Sequence, residues 1–171
     1  MPSFRTAAAM AAGVLALGAC ATTERIAAAG DVHALLAAIR DDDAAAFDAH
    51  VDRPALEREL EVRILASADK ARDSSVSALG ALLARPLARL AGESLLRPDV
   101  FRAVAEYYGY SPGTPLPNEL VIAGALRALP DGRVCAVRRH GGACLITFAD
   151  EGGTWRLVSF DGDVRDLKLP H

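Results

Sequence analysis

An α+β fold is what this 171-residue sequence predicts: N-terminal helices packed on one face of a C-terminal antiparallel β-meander of about four strands. Three observations point there. Apolar residues recur at helical spacing as far as Tyr108. A stiff connector follows, SPGTPLPN at 111–118, with three prolines and a glycine. Beyond it the apolar period shortens to two, in runs separated by PDG (130–132), HGG (140–142) and DEGG (150–153).

The elements follow in order. Val32, Leu35, Leu36 and Ile39 fall at i, i+3, i+4 and i+7, with Asp31 placed to cap a first helix. Asp41-Asp42-Asp43 interrupts it, and Asp43 caps a short second helix through Phe47 and Val51. Asp52 and Pro54 open a third, with Leu56, Leu60 and Ile64 every four residues and charges on its other faces. Ser74 and Ser75 start a fourth through Leu79, Leu82, Leu83, Leu87 and Leu90, which Pro86 is expected to kink or split. Pro98 and Asp99 begin a fifth, with Val100, Phe101, Val104 and Tyr108 inward and Gly109 ending it. The strands expected are 120–129, 133–139, 143–149 and 154–160, with DLKLP as a short further edge.

The N-terminus speaks of location. A short lead with one positive charge precedes Ala7 to Leu17, about eleven residues without charge, roughly half of what a spanning helix needs. That describes an export signal. Its end, Leu17-Gly18-Ala19-Cys20, resembles the bacterial lipobox: an aliphatic residue, two small ones, then cysteine. The resemblance implies cleavage before Cys20 and lipidation of its thiol, and Ala21 in the next position resembles the default for outer-membrane sorting. Residues 1–19 are then a cleaved signal, 20–30 a lipidated tether, and 31–171 a single domain facing the periplasm. Two or more acyl chains hold a protein stably at a bilayer, where one holds it marginally.

Removing residues 1–19 takes away Arg5 and no acid, moving the formal net charge from −3 to −4. That lacks the basic field that nucleic acid requires. Besides Cys20, Cys135 and Cys144 form an even pair in an oxidising compartment. A Gly141-Gly142 turn pairs Cys144 with Arg139 and Cys135 with Phe148. The two cysteines then stand about 13 Å apart along the strands, beyond the roughly 7 Å between Cα atoms that a bond tolerates. A turn centred on Arg139-His140 brings them opposite, but neither residue takes positive φ cheaply. A disulfide and two buried free thiols both remain open.

The stretch AIRDDDAAAFDAHVDRPALERELEVRI, 38–64, resembles the opening of a bacterial domain-of-unknown-function family, number twenty-nine thirty-nine. Its members read as a helix, an acidic break, then V-D-x-P-x-L, matched here by Val51, Asp52, Pro54, Ala55 and Leu56. The Leu-rich segment 79–96, the Pro98 helix start and WRLV at 155–158 extend the resemblance over about 33–170. It implies no activity and no catalytic residue. A looser resemblance is to the nuclear-transport-factor-two-like cone, in which helices sit in a curved antiparallel sheet. That fold hosts both enzymes and binding modules, and the helical part here is longer than such a cone holds.

Motifs for chemistry are sparse. His33, His50, His140 and His171 have no partners at metal-ligand spacing, no metal or cofactor is implied, and no GxSxG occurs. The aspartate run reads as capping, and the glycine pairs as hairpin turns. Tyr107, Tyr108, Tyr110 and Trp155, with Arg138, Arg139, Asp161 and Asp163 near them in sequence, could line a pocket. Two readings follow. One is a non-catalytic envelope lipoprotein, held by its lipid anchor and binding an envelope protein or small amphiphile. The other is a cone-fold isomerase-like or hydrolase-like enzyme, with Asp161 as buried base and Tyr107 or Tyr110 as hydrogen-bond donor.

Overall fold

The computed structural model describes residues 4–69, 74–107, 109–137 and 142–160, with side chains in 21–66, 78–80, 82–106, 109–137 and 142–160. Six helices precede four strands among them: α1 (Phe4–Asp41), α2 (Ala44–Ala49), α3 (Arg53–Asp69), α4 (Ser74–Leu95), α5 (Pro98–Tyr107), α6 (Glu119–Ala125), β1 (Leu126–Ala128), β2 (Val134–Val137), β3 (Cys144–Asp150) and β4 (Trp155–Phe160). The strands form one antiparallel sheet in the order β1-β2-β3-β4, so the α+β class and the meander are as the periodicity predicts. The expected DLKLP edge, Asp161, Asp163, Arg138, Arg139 and the turn at His140 lie outside the described residues.

The first helix begins much earlier than Asp31. α1 runs without a break through the apolar segment, and Ala28 and Ala29 are fully buried members of the core with Val32, Leu35 and Ala38. The expected tether, 20–30, is therefore helical, and its last residues belong to the domain. Asp31 caps nothing; its carboxylate accepts the Trp155 N–H at 2.8 Å.

The three aspartates after α1 divide the labour of a helix break. Asp41 pairs with Arg40 at 2.7 Å. Asp42 turns the chain at φ 58, and the Asp43 N–H closes back on the Ala38 carbonyl at 2.9 Å. Asp43 then caps α2, accepting from the N–H groups of Ala45 and Ala46 at 3.0 Å.

Two further expectations are corrected. The segment from Glu119 does not start as a strand: Asn118 accepts from the Val121 N–H at 3.0 Å and caps a two-turn helix, α6, leaving three residues for β1. A capping side chain decides here against the apolar run, whose length suits either element. In α5, Val104 points outward while Phe101 packs edge-on against Phe47, ring centroids 5.3 Å apart. Tyr108 is outside the described residues. α4 continues past Pro86 as one element.

Register explains the two sheet faces. The rows Leu126–Ala136–Ile146–Phe160 and Ala128–Val134–Phe148–Leu157 face the helices. Arg127, Cys135, Thr147 and Ser159 lie across the other face. Cys135 pairs with Thr147 and Cys144 with Val137, not with Phe148 and Arg139 as the Gly141-Gly142 turn requires. A bulge between Ala136 and Val137 takes up a residue of β3 and draws the cysteines together. Their Cα atoms stand 5.5 Å apart, and the sulfurs are bonded. The Arg127 guanidinium covers the bond, donating to Cys144 Sγ at 3.2 Å and to the Gly142 carbonyl at 2.9 Å.

Candidate functional site

A cluster of polar groups lies where α1, the 50–52 segment and the β3–β4 turn meet. It follows from how the helical half is fastened to the sheet. β4 is an edge strand, and an open edge invites pairing with another chain. Here Val51 forms an isolated parallel bridge with Leu157: Leu157 donates to the His50 carbonyl and Asp52 donates to the Leu157 carbonyl, both at 2.9 Å. Further along, the Phe160 N–H donates to Glu59 Oε2 at 3.3 Å, and the Phe160 carbonyl accepts from Arg63, itself ion-paired with Glu59. With Asp31 on the Trp155 N–H, the exposed rim of β4 is occupied by groups from α1 and α3.

Asp52 does two things at once. Its carboxylate accepts the Ala55 N–H at 3.0 Å, so it caps α3, with Pro54 in the first turn. It also faces Glu151 on the β3–β4 turn. Partial burial, then a hydrogen bond from the neutral Glu151 carboxyl to Asp52, then the Asp52 charge raise the Glu151 pKa from its ordinary 4.5, against the pull of Arg156 and Arg58. Arg156 lies 3.5 Å from Glu151. Beside this pair, His50 Nδ1 is 3.6 Å from Asp31 Oδ1, within ion-pair range but beyond a hydrogen bond.

Chemically, the cluster sets the Glu151 carboxyl close to Asp52 and fastens elements together. It is not built like a nucleophile with its base. Among the described residues no group of three or more His, Cys, Asp or Glu could hold a metal ion. The carboxyl with the raised pKa sits on an exposed turn, not in the buried setting that marks a catalytic acid.

Of the sequence-derived site candidates, only Tyr110, Cys135 and Cys144 have described side chains. Cys20 and Tyr107 lie in α1 and at the end of α5, with their side chains outside the description, and Asp161 is outside it altogether. The Tyr110 hydroxyl is buried without a hydrogen-bond partner. Trp155 is 6% exposed and belongs to the core. His33 serves as structure: its Nδ1 donates to the Pro117 carbonyl at 3.0 Å and ties the connector to α1. The Asp52–Glu151 pair is invisible in sequence, because the two stand ninety-nine positions apart and no spacing rule spans that. Asp52 itself was legible as a cap.

The chain matches the family model described as "Protein of unknown function (DUF2939)" over residues 8–104. It belongs to that family. The DUF2939 match ends before the sheet, so WRLV at 155–158 falls outside it and the resemblance is shorter at that end than the expected 33–170. Within it, Val51-Asp52-x-Pro54 gains a physical meaning: a strand-like bridge to β4, then a capped helix start. No curated protein and no solved structure matches the chain.

Two outcomes are expected at this junction. Asp52→Ala should cost about 1 kcal/mol through the lost cap, whereas Asp52→Asn, which can still cap, should cost much less; urea midpoints of the two variants check this. Glu151 bears on pH dependence. Because its folded pKa is raised, its contribution to stability is fully present below 4.5 and is lost as pH climbs through the folded value. Glu151→Gln should therefore flatten the loss of stability on that climb. The effect is small because the side chain is 36% exposed.

Proposed function

We propose that this DUF2939 protein is a bacterial envelope lipoprotein whose domain is a non-catalytic binding or structural module, held by acyl chains at Cys20 to the outer membrane and facing the periplasm. The observation that carries the reading is Leu17-Gly18-Ala19-Cys20 behind a short uncharged apolar run. Two others support it. Among the residues whose side chains are described, the core begins at Ala28, eight positions beyond Cys20. The Cys135–Cys144 bond suits an oxidising compartment. Among the described residues no helix is long and apolar enough to cross a membrane.

Mass spectrometry of the N-terminal peptide from native envelopes tests this. The expected result is a mature chain beginning at Cys20 with a thioether-linked diacylglyceryl group, and an unmodified, uncut chain for Cys20→Ser. A mature chain that starts elsewhere, or an unlipidated Cys20, overturns the reading.

A further inference from the structure

α4 is packed inside out. Ala84, Ala88 and Gly92, four residues apart, form its buried face. That stripe lies against α3 so closely that a Cβ on Gly92 would stand 2.8 Å from Cγ of Glu57. The leucines point the other way: Leu79, Leu82, Leu83, Leu87 and Leu90 are 58%, 76%, 48%, 46% and 59% exposed. Single surface leucines are ordinary, but a stripe along three turns of one helix is a surface that needs an occupant. Small residues at the contact and large aliphatic ones outside invert the usual amphipathic arrangement.

We propose that the leucine face of α4 lies on the phospholipid surface beside the lipid anchor, sunk into the boundary between headgroups and acyl chains. The proposal rests on the lipoprotein reading in one respect: the helical stretch from Cys20 to Ala28, eight positions on, spans only about 12 Å, which keeps the body next to the bilayer. Charge favours lipid over a second copy. Arg85 and Arg89 extend along one flank with side chains 85% and 75% exposed, and their carboxylate partners, Glu61 and Glu93, hold them only at the surface. Their stems can lie along the leucines while the guanidinium groups reach lipid phosphates. Two copies paired antiparallel through this face would instead set Arg85 and Arg89 of one chain against the same residues of the other.

A cysteine placed on α4 tests the inference in the full-length, lipid-bearing protein. Because Cys135 and Cys144 are bonded, Leu83→Cys and Leu87→Cys each add one thiol for an environment-sensitive fluorophore. The parent chain carried through the same labelling sets the background. Ala103→Cys on the exposed face of α5 is the comparison site. The protein is reconstituted in phosphatidylethanolamine–phosphatidylglycerol vesicles with brominated acyl chains. Labels at 83 and 87 are expected to shift to the blue and lose most of their emission to bromine, while the label at 103 keeps its own. Equal quenching at all three positions overturns the proposal. So does energy transfer between labelled copies at 83 without bromine quenching, which would make the face an interface between two chains. Flotation with the vesicles reads the anchor separately: a chain that floats yet keeps its emission at 83 and 87 overturns this proposal and leaves the lipoprotein reading standing, whereas a chain that does not float overturns that reading.

Discussion

Phe47→Ala is expected to destabilise the domain by about 3–5 kcal/mol, a large part of the 5–15 kcal/mol that holds an ordinary domain together. Phe47 is fully buried although it sits in a helix of six residues, too short to be stable alone. Its ring meets Phe101 edge-on, so α2 and α5 close over the same spot of the core. The neighbours cannot collapse into the space. Val51, four residues on, is held by its bridge to β4, and α1 is a long, stiff helix. The cost should therefore sit toward the cavity-forming end of the range. Phe47→Leu, which refills most of the volume, should recover more than half of it. Urea denaturation followed by circular dichroism distinguishes the two. A loss under 1 kcal/mol for Phe47→Ala would mean that α2 is not part of the cooperative core.

The second large effect is expected from the disulfide. Replacing both Cys135 and Cys144 by alanine should cost about 2–3 kcal/mol, the value for closing a loop of this short length in the unfolded chain. The bond ties β2 to β3 on the sheet face turned away from the helices, where Cys135 and Thr147 are nonetheless buried. Arg127 covers it, so Arg127→Ala should make the bond easier to reduce without removing the tie. Thermal unfolding with and without a thiol reductant checks both. The reductant should lower the midpoint of the parent chain and leave the double-alanine variant where it was.

Some of this architecture could be read residue by residue, and the boundary falls along a physical line. Caps act within four residues, so Asp43 and Asp52 announced α2 and α3, and Gly109, at φ +90, announced the end of α5. Asn118 is the same kind of signal, and the apolar residues behind it concealed it: ELVIAGA reads equally as strand or helix until the cap is weighed. Asp31 misled for the opposite reason. It has the composition of a cap, but the helix was already under way, and its partner was a backbone group 124 residues distant.

What the amino-acid order determined alone was the alternation of periods, hence helices before strands, together with the helix breaks and the lipobox-like run at Cys20. These depend on neighbours a few residues apart, and local sterics and hydrogen bonding suffice to specify them. Tertiary structure alone decided three other things. It chose which face of α4 is buried, because a stripe of alanine and glycine allows a closer approach to α3 than leucine does. It set the hairpin register that joins Cys135 to Cys144, because a bulge shifts the pairing without altering the alternation of residues. It also brought Asp52 to Glu151 and His50 to Asp31, because covering the open edge of β4 requires polar groups from distant parts of the chain to converge on one strand.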